Sequence, residues 1–261
     1  MNVVILAGGL GTRLSEETNL IPKPMSLIGD MPIIYHIMQN FGYYGYKNFI
    51  ILAGYKSFKI KEFFENFYRY KSDIEIDLKN NKKKILNKIN NNFKVKIVET
   101  GLNTLTGGRI LRAKKYIGNK DFFLTYGDCV SDIDIKKLLK FHKINNKTAT
   151  VTAVNPRTQY GSLKIEGNLV KSFKEKPYLS DNLISGGFFV FKSKIFNFLK
   201  DDNTILERTP LEKLVSKNQL SAYIHKGFWH PMDNLRDKNS LNQMWLENKA
   251  PWRKFFKWKL E

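Results

Sequence analysis

Val3-Val4-Ile5-Leu6-Ala7-Gly8-Gly9-Leu10-Gly11-Thr12-Arg13-Leu14, followed a little later by Pro22-Lys23-Pro24, is the stretch that decides how this chain folds. A short apolar run that stops abruptly at glycines reads as a buried strand feeding a loop whose backbone must come close to something. Successive N–H groups of such a loop can turn toward an anion, and the Arg13 guanidinium and the Lys23 ammonium can add the positive charge that phosphates require. No Gly-Lys-Ser/Thr follows, so the loop is not a P-loop, and Gly8, Gly9 and Gly11 lack the spacing of a dinucleotide fingerprint. A plain glycine-rich turn would need neither Thr12-Arg13 nor a lysine fixed between prolines. The stretch therefore reads as the triphosphate cradle of a nucleotide site at a strand end.

Working outward, short aliphatic runs alternate with helical patterns, which predicts a Rossmann-like α/β fold with a mixed, mostly parallel sheet. Strands are expected at Val3–Leu6, Asn48–Ala53, Phe122–Tyr126, Ala149–Val154, Gly186–Phe191 and Leu220–His225, with an antiparallel pair over Gly161–Phe173 turning at Gly167-Asn168. Helices are expected at Pro32–Tyr43, Phe58–Tyr68, Gly107–Tyr116, Ile133–Lys143, Lys194–Leu199 and Pro210–Lys217, and the tail from Asp237 is helical, then aromatic and basic. Residues 72–98 alternate polar and apolar and read as a half-exposed strand pair or an excursion from the sheet. No repeat or long linker appears, so residues 1–261 are read as one domain.

Transfer of a nucleotidyl group to a phosphate needs a cradle, a cation for the incoming phosphate, a divalent metal, and a pocket that aligns the acceptor with the α-phosphorus. Asp128, at the end of the Phe122–Tyr126 strand, lies where carboxylates face the ligand crevice of a parallel sheet. Asp233 is the second candidate for a magnesium shell, since magnesium takes hard oxygen ligands and only one or two protein carboxylates. Histidine and cysteine are too scarce for a zinc site. Glu175-Lys176 offers a carboxylate for sugar hydroxyls and an ammonium for a sugar phosphate, Gly186-Gly187 a close backbone approach, and Thr104 through Arg109 a polar loop at a helix start for a base edge or phosphate.

Together these segments resemble the sugar-phosphate nucleotidyltransferases, and within them the branch that uses CTP. The resemblance runs in order through Gly8–Leu14, Pro22-Lys23-Pro24, Thr104–Arg109, Thr125–Asp128, Thr150–Val154, Phe173–Pro177, Gly186–Val190, Gly227–Asp233, Leu235–Lys238 and Ala250–Trp252, nearly the whole chain. It implies magnesium-dependent transfer of CMP from CTP to a sugar 1-phosphate, with α-D-glucose 1-phosphate as the favoured acceptor, releasing pyrophosphate. It further implies a homo-oligomer, a hexamer by resemblance, supplying CDP-glucose for surface polysaccharide sugars, with residues 72–98 in subunit packing. Carried onto matching positions, Leu6, Ala7, Gly8, Gly9, Leu10, Gly11, Thr12, Arg13, Lys23, Thr104, Arg109 and Gly127 would bind nucleotide, with Arg13 and Lys23 acting in catalysis. Asp128 and Asp233 would hold magnesium; Glu175, Lys176, Ser185 and Gly186 would bind the sugar phosphate. Two positions depart from the pattern: Cys129 replaces a glycine after Gly127-Asp128, and Ser185 replaces an asparagine expected to touch the sugar. Both bear on the acceptor or metal side. The same reaction on another phosphorylated acceptor, and a non-catalytic basic nucleotide- or polyanion-binding protein, stay open beside the favoured reading.

Bulk properties set the outer limits. With 42% hydrophobic and 13% aromatic residues over 261 positions, the chain can bury a full core. The net charge of +20 comes largely from lysines interleaved with asparagine and isoleucine along the whole sequence, as in Lys79–Ile85, which argues for compositional drift over a nucleic-acid patch. A single cysteine, Cys129, excludes an intrachain disulfide and fits a reducing compartment. Val3–Ala7 lacks a basic lead-in and is not read as a secretory leader, and no run approaches a membrane span. A cytoplasmic protein without membrane or nucleic-acid partners is expected.

Overall fold

The computed structural model describes residues 1–87, 91–156, 162–174 and 183–256. Seven strands form the central sheet: β1 (Asn2–Ala7), β2 (Asn48–Ala53), β3 (Lys94–Glu99), β4 (Phe122–Tyr126), β5 (Ala149–Val154), β6 (Ile184–Phe191) and β7 (Leu220–His225). Their order is β7-β5-β6-β4-β1-β2-β3. β1 is parallel to β2 and β4, β2 to β3, and β5 to β7, while β6 runs antiparallel to both β4 and β5. Consecutive β1, β2 and β3 step outward on one side of β1, and the chain then returns to place β4 on its other side. This reversal opens a crevice at the carboxyl ends of β1 and β4, where open α/β sheets bind ligands.

Alternation along β1 explains the two cores. Val3, Ile5 and Ala7 pack on one face with the helix Ile33–Tyr43, and Val4 and Leu6 pack on the other with Ile110 and Leu214. Strands buried on both faces lose the polar alternation of a half-exposed strand, hence the continuous apolar run at the start of the chain. Pro32 stands just before the first turn of the helix Ile33–Tyr43, as its fixed φ allows.

The excursion is smaller than expected. Lys94–Glu99 belongs to the main sheet as edge strand β3, its exposed lysines guarding the edge. Only Ile74–Asp77 leaves the sheet, pairing with Lys82–Ile85 in a separate hairpin. The helix expected over Phe58–Tyr68 breaks at Asn66 into Ser57–Glu65 and Phe67–Lys71, and that over Gly107–Tyr116 breaks at Ala113 into Thr106–Arg112 and Lys114–Ile117. The segment Lys194–Leu199 is a 3-10 turn over Ser193–Phe198, and the tail forms the helix Leu235–Leu246 followed by a 3-10 turn at Pro251–Phe255. The antiparallel pair forms as Ser162–Glu166 and Leu169–Lys174.

Candidate functional site

A cleft of about 820 Å³ lies at the carboxyl ends of β1 and β4. One wall is the loop after β1, with Leu6, Ala7, Gly8, Gly9, Leu10, Gly11 and Thr12, together with Thr104 and Arg109. The floor is Lys23, Gly127 and Asp128, and the opposite wall carries Ser185, Gly186 and Asp233. The sequence-predicted residues thus converge on one space. The Arg13 side chain lies outside the described residues, though its backbone forms the 3-10 turn Thr12–Leu14. Glu175 and Lys176 also lie outside them.

The loop keeps its shape through contacts that demand glycine. At Gly11 φ is +67°, and an added Cβ would stand 2.8 Å from Thr18 Cγ2. Thr18 Oγ1 donates to the carbonyls of Gly11, at 3.2 Å, and Leu14, at 3.0 Å, which ties the turn down. Gly8 is needed because the Arg109 guanidinium occupies the space where a side chain would begin; a Cβ there would lie 2.2 Å from Nη1.

Arg109 is more than a cleft-lining cation. Its Nη1 donates to Thr100 Oγ1 at 2.6 Å and to the carbonyls of Gly101 at 2.7 Å and Ala53 at 3.4 Å. Its Nη2 donates to the carbonyls of Gly8 at 2.9 Å and Leu102 at 3.1 Å. These acceptors come from the ends of β1 and β2 and from the segment after β3, so one buried fork ties three neighbouring segments together. A carbonyl turned toward Arg109 turns the next N–H the opposite way across the planar peptide, fixing the amide of Gly9. The expected phosphate-binding helix start is different. The amides of Gly107 and Gly108 donate to the Thr204 carbonyl, and a Cβ on Gly108 would lie 2.5 Å from Asp202 O. Those glycines serve close packing of the 202–204 segment, which removes their amides from ligand binding.

Lys23 sits between the two predicted metal carboxylates, its Nζ 2.7 Å from Asp128 Oδ2 and 2.8 Å from Asp233 Oδ1. Burial works to lower its pKa, but Asp128 and then Asp233 outweigh that and hold the ammonium above its ordinary value. The lysine projects from the short turn Lys23–Met25, fixed by Pro22 and Pro24, and Pro24 packs on Gly127. A two-stranded ribbon sets the carboxylates: Cys129–Ser131 pairs antiparallel with Trp229–Pro231, and Met232 N donates to Asp128 O at 2.8 Å. The backbone N–H of Asp233 donates to Asp237 Oδ2 at 2.9 Å, and Asn234 and Asp237 close a capping box on the helix Leu235–Leu246. The metal-side aspartate is therefore aimed by a helix start.

The donor set fits magnesium: two hard carboxylates, one-third exposed, at a cleft mouth with room for substrate oxygens and water. Cys129 turns into the core, where burial and the neighbouring Asp128 raise its thiol well above its usual range. Ser185 Oγ accepts from the Gly187 amide at 3.4 Å.

Sequence reasoning did not single out three cleft residues. Tyr126 and Trp229 line the cleft beside Ser185–Gly187, and Asn103 lines it beside Thr104. Trp229 Nε1 donates to Gly186 O at 2.7 Å, bracing the double glycine. The apolar run of β4 and the Trp229-His230-Pro231 signal marked their elements, but which side chains face the cleft depends on how β4 and the ribbon Trp229–Pro231 pair with their neighbours.

Comparison with known proteins follows the same lines. A family profile described as Nucleotidyl transferase matches residues 2–243. The chain is 45% identical to the glucose-1-phosphate cytidylyltransferase of Salmonella typhi, over 97% of this chain and 99% of that protein. It is 42% identical to the probable glucose-1-phosphate cytidylyltransferase of Bacillus subtilis, with the same coverage. Among solved structures, HddC from Yersinia pseudotuberculosis is similar at a TM-score of 0.68 and 26% identity, over 94% of this chain and 99% of that one.

Proposed function

This chain belongs to the nucleotidyl transferase family, and on that premise we propose that it transfers CMP from CTP to α-D-glucose 1-phosphate, giving CDP-glucose and pyrophosphate. The observation that carries the reading is the Lys23 ammonium beside Asp128 and Asp233, in one cleft with the glycine loop of β1. The acceptor phosphate oxygen is already anionic at neutral pH, so the chain needs no covalent nucleophile and no strong base. Its own groups position and neutralise. The loop amides around Gly9 and Gly11, held from behind by Arg109, cradle the triphosphate. Lys23 meets charge on the transferred phosphoryl group, a role suited to a compact ammonium on a flexible stem. Asp128 and Asp233 would hold magnesium, which when bound supplies charge neutralisation on the phosphate oxygens. The wall of Ser185 and Gly186 takes the acceptor, with Glu175 and Lys176 assigned to it by resemblance.

The wider setting is part of the proposal and rests on the resemblance of the sequence alone: a cytoplasmic homo-oligomer supplying CDP-glucose for surface polysaccharide sugars. No helix among the described residues is long and apolar enough to cross a membrane. The hairpin Ile74–Ile85 supports assembly, since it leaves Ile74, Ile76 and Leu78 exposed and a lone two-stranded hairpin is marginal in water. Pyrophosphate release, measured with each nucleoside triphosphate against a panel of sugar 1-phosphates and magnesium, tests the reaction. Release is expected with CTP and glucose 1-phosphate; release only with another pair reassigns the substrates, and none with any pair removes the enzyme reading.

A further inference from the structure

Tyr126 reaches the cleft from the last position of β4, on the boundary between its two halves. On one side it is in register with Leu6 of β1, and on the other its ring abuts β6. Gly187 makes room for that ring: φ there is +75°, and a Cβ would lie 2.7 Å from Tyr126 Cδ2. The ring also meets Phe189 edge-on, with centroids 6.5 Å apart. Its hydroxyl points away from the cleft mouth and donates to Glu207 Oε1. The other oxygen of Glu207 accepts from Thr106 Oγ1 at 2.7 Å, and Thr106 Oγ1 in turn accepts from the Leu206 amide at 2.9 Å.

Glu207 is exposed, and the segment leading to it is tied down at Asp202, Thr204 and Leu206. Leu105 N donates to Asp202 O at 2.9 Å, and Arg112 grips both oxygens of Asp202. The 202–207 segment is thus clamped to the helix Thr106–Arg112, and the carboxylate it presents is a fixed anchor.

We propose that Glu207 is a positioning residue for the sugar-phosphate acceptor: through the Tyr126 hydroxyl it locks the ring against Gly187 and so sets the width of the acceptor end of the cleft. Because Glu207 takes the hydroxyl, Tyr126 offers the cleft an aromatic surface, suited to the C–H face of a pyranose. The inference rests on the reading that the Ser185–Gly187 side receives the sugar phosphate. Glucose and bulkier sugar 1-phosphates would be told apart by where that ring stands. CTP would be affected less, since Arg109 and not Glu207 bonds the Gly8 carbonyl of the glycine loop.

Steady-state kinetics with CTP and glucose 1-phosphate test this on the full chain, comparing wild type with Glu207→Ala, Glu207→Gln, Tyr126→Phe and the double variant Glu207→Ala/Tyr126→Phe. Glu207→Ala and Tyr126→Phe are each expected to raise KM for glucose 1-phosphate about three- to tenfold, the range for one ordinary net hydrogen bond, since the exposed Glu207 carboxylate is screened by solvent. KM for CTP stays within about twofold, the signature of a loss confined to acceptor binding. Glu207→Gln keeps an acceptor oxygen for Tyr126, while its amide N–H reverses the second bond and donates to Thr106 Oγ1, a hydroxyl that can accept as well as donate, and the variant stays near wild type. The double variant is no worse than either single one, since both break the same bond. Three results overturn the inference alone: an unchanged KM for glucose 1-phosphate in Glu207→Ala, both KM values rising together with a lowered melting temperature, or full additivity in the double variant. A wild-type chain that releases no pyrophosphate overturns the proposed function, and this inference with it.

Discussion

Lys23 and Asp233 lie 210 residues apart in the chain, yet their charged groups meet at 2.8 Å, and Asp128 closes the same ammonium from the other side at 2.7 Å. The ammonium holds the gap that a divalent cation would share between the carboxylates. For metal to take both carboxylates Lys23 must release them, and the nearest new partner is a phosphate of the nucleotide. Metal and nucleotide binding should therefore be coupled, each helping the other.

Lys23→Gln tests that coupling. Turnover is expected to fall about 10²- to 10³-fold, the usual cost of removing one group that meets transition-state charge. At the same time the nucleotide-free variant should bind Mn²⁺ more tightly than wild type, read by paramagnetic relaxation of water. Equal Mn²⁺ affinity in the two proteins would show that Lys23 does not guard the site.

Asp128→Asn separates chemistry from folding. The amide keeps the shape of the side chain but cannot serve as an anionic magnesium ligand. The carboxylate is about one-third exposed, so solvent screens its pairing with Lys23 and little stability is at stake. Pyrophosphate release should vanish while the melting temperature moves by only a few degrees, the shift that corresponds to about 1 kcal/mol. An active variant would take Asp128 out of the metal site.

Gly8 and Gly9 are neighbours with opposite expectations. A methyl at Gly8 would collide with the Arg109 guanidinium, which is fixed by five acceptors and cannot step aside. Gly8→Ala should destabilise the fold by about 1–3 kcal/mol, as overpacking does, and raise KM for CTP as well. At Gly9 nothing lies within 4 Å of the added atom. Gly9→Ala should melt like wild type and weaken CTP alone, because the methyl enters the ligand's space. Thermal melts paired with CTP saturation curves distinguish the two; a destabilised Gly9→Ala or a silent Gly8→Ala contradicts this account of the loop.

Part of the sheet was legible because strands buried on both faces are written as apolar runs: Asn48–Ala53 and Phe122–Tyr126 form over the expected residues. Ala149–Val154, with its β-branched residues, and Leu220–His225, a half-exposed edge strand, also form where expected. Lys94–Glu99 was harder. As an edge strand it alternates like the hairpin Ile74–Ile85, and only its pairing with β2 tells them apart. Within the cleft, the glycines of the first loop and the Pro-Lys-Pro turn are local signals and could be read directly. The duty of Arg109 could not, because two of the partners that define it are carbonyls from segments some 50 and 100 residues away. The same holds for Glu207, an ordinary surface carboxylate in sequence, whose importance comes only from the chain segment that carries it to Tyr126.

His36 makes stability depend on pH. It is fully buried, donates from Nε2 to Ile28 O at 2.9 Å, and accepts at Nδ1 from Trp252 Nε1 at 3.1 Å. Both bonds require the neutral ring, since a proton on Nδ1 would face the indole N–H. Burial holds its pKa down at about 4, against an ordinary value of 6.5. As pH falls through 6.5 the unfolded chain therefore takes up a proton that the folded chain refuses until about pH 4. Stability is lost across that window, by up to about 1.4 kcal/mol per pH unit from this group, and is flat with respect to it above pH 6.5. His142, also lowered by burial, acts in the same direction, so the comparison must be made against a variant. His36→Gln should be less stable than wild type at pH 7.5, by about 1–3 kcal/mol for the disturbed buried bonds, but should lose less on going to pH 5. Urea midpoints of both proteins at pH 7.5, 6 and 5 give the two slopes. Parallel slopes would mean that His36 is already charged in the folded chain, and that the indole of Trp252 does not donate to it.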